Sequence, residues 1–215
     1  MKIYKNFNIS KKFKNSAIAI GNFDGFHLGH QKVIKSGKYL AKKNKLKFGL
    51  LVFHPLPVMF FNKKIKNYRI DSLSQKIQTS KKLGIDFMII KKFNKNFSKT
   101  TAENFIKFIL YKKLNAKLIF ISRNFKFGKN RVGNINLLKK RESLFKYKTK
   151  TVKPLNKNKT VISSTLIRKN IAIGKISFAN KMLGRPWAIE GIVKRGEKRG
   201  KKIGFPSCNL KLQNF

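Results

Sequence analysis

Apolar residues in this chain come either in short unbroken runs or at spacings of three and four. The runs at 16–23 (SAIAIGNF), 46–53 (LKFGLLVF), 86–93 (DFMIIKKF) and 117–122 (KLIFIS) have the length of buried strands. A fifth, more polar strand is expected near 148–155. Helical stretches lie between them. The first, 28–43, sets Val33, Ile34, Gly37, Leu40 and Ala41 on one face. Ser72 with Gln75 has capping-box spacing and opens a helix that closes at Gly84. Thr100 with Glu103 repeats that signal ahead of Phe105, Ile106, Ile109 and Leu110. The prolines of HPLP (54–57) end the second strand. RNFKFGKNRVGN (123–134) is a loop leading to a short helix around 135–145. Two more helices are expected at 163–174 and 176–184.

Strands alternating with helices predict an α/β fold with a doubly wound parallel sheet. Ligands in such sheets bind beyond the C-terminal ends of the strands. Three segments sit at such ends: AIGNFDGFHLGHQ (19–31), HPLP and NFKFG (124–128), and they are expected to converge on one crevice. After Gly184 the helical period stops and glycines recur among β-type residues. The chain is therefore expected to divide into units 1–183 and 184–215.

Composition and charge add further constraints. The chain has 215 residues and 41% hydrophobic content, enough for a real core. A lone cysteine, Cys208, rules out an internal disulfide and fits a reducing, cytoplasmic setting. The lysine-broken N-terminus lacks a secretory h-region, and no apolar run is long enough to span a membrane. The net charge of +45 sets 52 basic residues against seven acidic ones. Such a charge suits nucleic acid. Yet the lysines are spread along the whole chain, and Lys, Asn, Ile and Phe, all writable with A/T-only codons, rise together. A nucleic-acid partner thus gains little support, although the field draws in anionic small molecules.

The candidate chemistry centres on His27-Leu28-Gly29-His30, at the expected start of the first helix. Unpaired backbone N–H groups and the helix dipole favour an anion there, and imidazoles can donate to phosphate. Taken alone, the spacing suits two capping histidines equally well. In 163–168, Ser163 and Ser164 suit a helix N-terminus. Arg168 lies one turn beyond Thr165, where a guanidinium can grip phosphate.

The longer string GNFDGFHLGH resembles the signature of the HxGH nucleotidyltransferases, whose fold is Rossmann-like. GNFDG narrows the resemblance to the bacterial FAD synthetases, the bifunctional riboflavin kinase/FMN adenylyltransferases. FNKNFSKTTAENFI (93–106), SRNFKFGKNRVGN (122–134) and ISSTLIR (162–168) are similar to that family's further motifs. LGRPWAIEGIV and GKKIGFPSCNL look like the opening of its riboflavin kinase β-barrel. Ser122 stands where the family loop has glycine, and Ser207-Cys208 where the kinase motif has Thr-Ala.

The resemblance implies transfer of AMP from ATP to FMN, with FAD and pyrophosphate as products and Mg²⁺ accompanying ATP. It implies that His27, His30 and Arg168 stabilise charge. Gly21, Asn22, Phe23, Asp24, Gly29, Ser163, Ser164 and Thr165 would bind ATP, and Asn124, Phe125 and Phe127 the flavin. By alternation Phe125 and Phe127 face the same way, and a core role for both stays open. No metal ligand is expected from side chains of the first unit. In the second, Gly204, Ser207 and Asn209 match the kinase module's nucleotide and magnesium positions. With so little of that module in the chain, riboflavin phosphorylation is not expected. The alternatives are cytidylyl or pantetheine-phosphate adenylyl transfer, and a non-catalytic basic protein that binds nucleic acid.

Overall fold

The computed structural model describes residues 1–65, 68–157, 160–194, 199–205 and 209–212. The strands are β1 (Lys2–Tyr4), β2 (Ala17–Ile20), β3 (Phe48–His54), β4 (Phe87–Lys92), β5 (Leu118–Ile121) and β6 (Lys148–Thr151), with hairpin strands β7 (Asn156–Lys157), β8 (Thr160–Val161), β9 (Gly191–Lys194) and β10 (Asn209–Leu212). The α-helices are α1 (Leu28–Lys43), α2 (Pro57–Phe61), α3 (Leu73–Lys82), α4 (Lys95–Ser98), α5 (Ala102–Asn104), α6 (Ile135–Lys140), α7 (Glu142–Phe145), α8 (Ser164–Ala172), α9 (Ile176–Leu183) and α10 (Arg199–Lys202).

β1 to β6 form one parallel sheet in the order β1-β4-β3-β2-β5-β6. The chain steps from β2 out to β4, then returns to lay β5 on the other side of β2. The winding therefore reverses between β2 and β5, and the crevice beyond their C-terminal ends is the switch point of a Rossmann-like sheet. β2 is buried on both faces. Ile18 and Ile20 enter one core layer, with Phe105, Ile106 and Leu110. Ala17 and Ala19 enter the other, with Ile34 and Ala41 of α1. Small residues let α1 lie close: a Cβ on Gly37 would come 2.2 Å from the Phe48 ring. A smaller cluster under α8 and α9 holds Ile70, Ile162, Ile167 and Leu183.

Several expectations shift. β1 is an additional edge strand whose three residues carry no usable period. The capping box at Ser72 and Gln75 is present with both bonds. The second cap is Thr101, which accepts from Asn104 N–H, whereas Glu103 turns to Arg141 at 2.7 Å. Residues 105–113 then wind as a π-helix. The helix expected around 135–145 breaks at Arg141 into α6 and α7. β6 stops at Thr151, short of Pro154. β9 and β10 pair antiparallel.

Candidate active site

The turn after β2 is tightly wound. Phe23, Gly25 and Phe26 all have positive φ, 44°, 82° and 42°. Two phenylalanines in the left-handed region cost strain of about 1–3 kcal/mol each. Their rings offset it by burial: they stack at 5.8 Å in the core under the turn. This winding delivers His27 to the N-cap of α1, where its Nδ1 accepts the His30 N–H at 3.3 Å. The bond assigns the neutral ring's proton to Nε2, which is left as a donor. The His27 and His30 rings stack at 3.7 Å. A Cβ on Gly29 would press to 3.0 Å from the His27 ring, so the glycine makes room for this pair.

Asp24 ties the turn to two distant elements. Its carboxylate, 1% exposed, accepts the Ile70 N–H at 3.2 Å and the Arg168 Nη2 at 3.0 Å. Ser164 Oγ donates to the Asp24 carbonyl at 2.9 Å, and Ser163 caps α8 by accepting the Leu166 N–H. The Arg168 guanidinium also lies over the Tyr68 ring at 3.9 Å. Lys76, buried on α3, donates to the Asn22 carbonyl at 2.8 Å. His27, His30, Asp24, Ser163, Ser164 and Arg168 thus meet at the switch point, with Gly21, Asn22, Phe23 and Gly29 in the same turn. Thr165 is on the exposed side of α8.

Burial pulls His27 down from 6.5 to about 4, against a smaller lift from Asp24. Burial also holds His30 well below its ordinary value, reinforced by His27, Lys76 and Arg168. Both imidazoles are therefore neutral at pH 7, each a donor that carries no charge of its own. Buried His30 Nδ1 and Arg168 Nε lack hydrogen-bond partners. Such unmet polar capacity suits a site that takes a polar ligand. Among the described residues, no cluster of three or more His, Cys, Asp or Glu could cage a metal. The carboxylate at the site, Asp24, is already committed.

The loop from 122 to 134 is pinned by paired N–H···O bonds between Phe127 and Gly133. Phe127 is buried against Phe105 at 5.3 Å and seals the core. Phe125 stacks on it at 5.7 Å, partly buried, and Asn124 is exposed. A second aromatic group at the same end of the sheet went unread in the sequence. Phe60 and Phe61 of α2 meet Phe93 at 5.3 and 5.8 Å, and Phe61 is 70% exposed. Beside it, His54 stands 3.4 Å from Arg69 and is half-buried. In the last segment Gly204 has φ 82° and Asn209 begins β10, while Ser207 lies outside the described residues.

A protein-family model described as FAD synthetase matches residues 9–166, and one described as riboflavin kinase matches 183–215. The chain belongs to the FAD synthetase family. Curated relatives named bifunctional riboflavin kinase/FMN adenylyltransferase include those of Buchnera aphidicola from Schizaphis graminum, Haemophilus influenzae and Bacillus subtilis. They are 44%, 34% and 35% identical over 96%, 95% and 96% of this chain. The chain spans 66%, 67% and 65% of their own lengths. A solved structure titled macrolide-efflux protein from Streptococcus pneumoniae superposes with TM-score 0.83 at 28% identity, covering 98% of this chain and 68% of that one. Among the described residues, no helix is long and apolar enough to cross a membrane. A pantoate-beta-alanine ligase from Francisella tularensis, solved with beta-gamma ATP and beta-alanine, shares the fold alone. Its TM-score is 0.51 at 17% identity, over 86% of this chain and 78% of that one. The FAD synthetase match thus spans the turn after β2 and the start of α8, and the riboflavin kinase match begins at the end of α9.

Proposed function

We propose that this FAD synthetase chain transfers AMP from ATP to FMN, with residues 1–183 carrying the reaction and 184–215 belonging to a riboflavin kinase unit. The observation that carries this reading is the neutral, stacked pair His27–His30 at the N-terminus of α1, beside the Asp24–Arg168 pair. An FMN phosphate oxygen attacks the α-phosphorus of ATP. A new P–O bond forms, the bond to the bridging oxygen breaks, and pyrophosphate leaves with the electron pair. The nucleophile is already anionic, so no protein base is needed, and positioning plus charge stabilisation remain. Neutral imidazoles suit this work. They donate to phosphate oxygens, and as negative charge gathers nearby their proton affinity rises and the hydrogen bonds strengthen. Arg168, held in orientation by Asp24, supplies fixed positive charge at the leaving phosphates. Gly21, Asn22, Phe23 and Asp24 shape the ATP turn together with Gly29. Ser163, Ser164 and Thr165 stand at the α8 start.

Mg²⁺ would arrive as part of the ATP complex, ligated by phosphate oxygens, since the described residues offer no carboxylate set. For the flavin, exposed Asn124 and partly buried Phe125 stay accessible in the loop, with Phe127 as their floor. The exposed face of Phe61 offers a further apolar surface for a ring. The single cysteine favours a cytoplasmic setting.

The test is incubation of the purified chain with ATP, Mg²⁺ and either FMN or riboflavin, following FAD and pyrophosphate by chromatography. FAD from FMN is expected. A folded chain that makes none sinks the reading.

A further inference from the structure

The six residues that follow Gly184 run alongside the segment holding Asp24. Arg185 Nη2 donates to Asp71 Oδ1 at 2.5 Å and to the Gly25 carbonyl at 3.4 Å. Trp187 Nε1 donates to the Ile70 carbonyl at 3.0 Å. Gln75 Nε2 donates to the Ala188 carbonyl at 2.8 Å, and the Ser72 and Ser74 hydroxyls both donate to Glu190. Residues 70–75 are thus gripped along their length by 185–190. Ile70 is held from both sides: its N–H by Asp24 and its C=O by Trp187. Asp24 in turn orients Arg168. β9 begins at Gly191, directly after Glu190.

We propose that residues 185–190 form a strut that positions the Asp24–Arg168 pair for ATP, with Arg185 as the positioning residue. The proposal rests on the adenylyl-transfer reading. Asp71 is fully buried and its Oδ2 has no hydrogen-bond partner; Arg185 is its hydrogen-bonded counter-charge, with Lys76 acting on it electrostatically from α3. Without the guanidinium, the buried carboxylate loses its hydrogen-bonded counter-charge and keeps only the Lys76 attraction, and residues 70–75 shift to relieve it. That shift pulls the Ile70 N–H from Asp24. The segment leading into the second unit is thereby part of the ATP site's support, and strain at one end is felt at the other.

Trp187 is the chain's only tryptophan, so its emission reports the Ile70 contact without a label. The full chain is titrated with Mg-ATP while binding of labelled ATP is followed by equilibrium dialysis. Trp187 emission is expected to change along the binding curve. Arg185→Met is expected to raise KM for ATP about tenfold and to leave KM for FMN within about twofold, and Arg185→Lys to recover part of the loss. Saturable ATP binding with silent Trp187 emission overturns the strut and leaves the adenylyl-transfer reading standing, as does an unchanged KM for ATP in Arg185→Met. Should Arg185→Met not fold, the titration of the unaltered chain decides. No ATP binding by the unaltered chain overturns both.

Discussion

Acidification is expected to weaken this fold through His27. The imidazole falls from 6.5 to about 4 because burial penalises its charged form. Between those values the unfolded chain takes up a proton that the folded site refuses. Stability is therefore full above about 6.5, falls as pH drops, and levels off below about 4. At about 1.4 kcal/mol per tenfold change in proton affinity, His27 accounts for about 3 kcal/mol in all, with about 2 kcal/mol lost by pH 4.5. For a chain of this size that is a fall in Tm of about 4–8 °C. The control is His27→Asn, which keeps an N-cap acceptor and removes the titration. Thermal unfolding of both proteins from pH 7 to 4.5 should show the natural chain losing that much more. Saturating ATP should shrink the difference, because phosphate charge lifts the imidazole. Equal losses in the two proteins would refute the buried, neutral His27.

Three further outcomes are expected. His30→Ala should cut FAD formation by about 10²–10³-fold in kcat, the usual cost of one donor aimed at developing charge; near-normal turnover removes His30 from the mechanism. Asp24→Asn should cost about 3–5 kcal/mol in urea unfolding, because it strands the Arg168 guanidinium 3.0 Å away, and Arg168→Met added to it should cost less than the two changes summed. Gly49→Ala should destabilise by about 1–3 kcal/mol with little effect on KM, since its Cβ would meet the Phe87 ring at 2.2 Å, and a neutral result would mean that the ring can yield.

What could be read from the sequence follows how local each signal is. The apolar runs give β2 to β5 because each buried strand is its own contiguous signal. The Ser72 cap is legible since both partners lie within one turn. Thr100 and Thr101 are harder: two adjacent hydroxyls offer two frames, and the choice of Thr101 goes with Glu103's pairing to Arg141, a residue far along the chain. A π-helix over 105–113 carries the same apolar spacing as an α-helix would. The histidine pair is legible as a string, and so are the serines of α8 and Arg168. Lys76, Ile70, Asp71 and Arg185 are not. Each reaches the turn across dozens of residues, and a buried lysine or an arginine near a module junction has no distinguishing neighbours in sequence. Phe127 illustrates the converse, a residue inside a motif-like loop whose ring serves the core.

Acidic residues are few in this chain, seven against 52 basic ones. Each of the six in the described part accepts a hydrogen bond: Asp24 from Ile70 and Arg168, Asp71 from Arg185, Asp86 from the Phe48 N–H, Glu103 from Arg141, Glu142 from the Thr149 N–H, and Glu190 from two serines. Their negative charge is committed to partners within the chain, at strand ends, in the site's scaffolding and, for Glu103, in an exposed ion pair with Arg141. The many lysines and arginines give the chain a positive field that draws in anionic small molecules whatever their identity. Under the adenylyl-transfer proposal, discrimination among nucleotides then falls to the shape of the cleft beside His27, His30 and Arg168 rather than to net charge. Raising the salt should thin the crowd of competitors sooner than it empties that cleft.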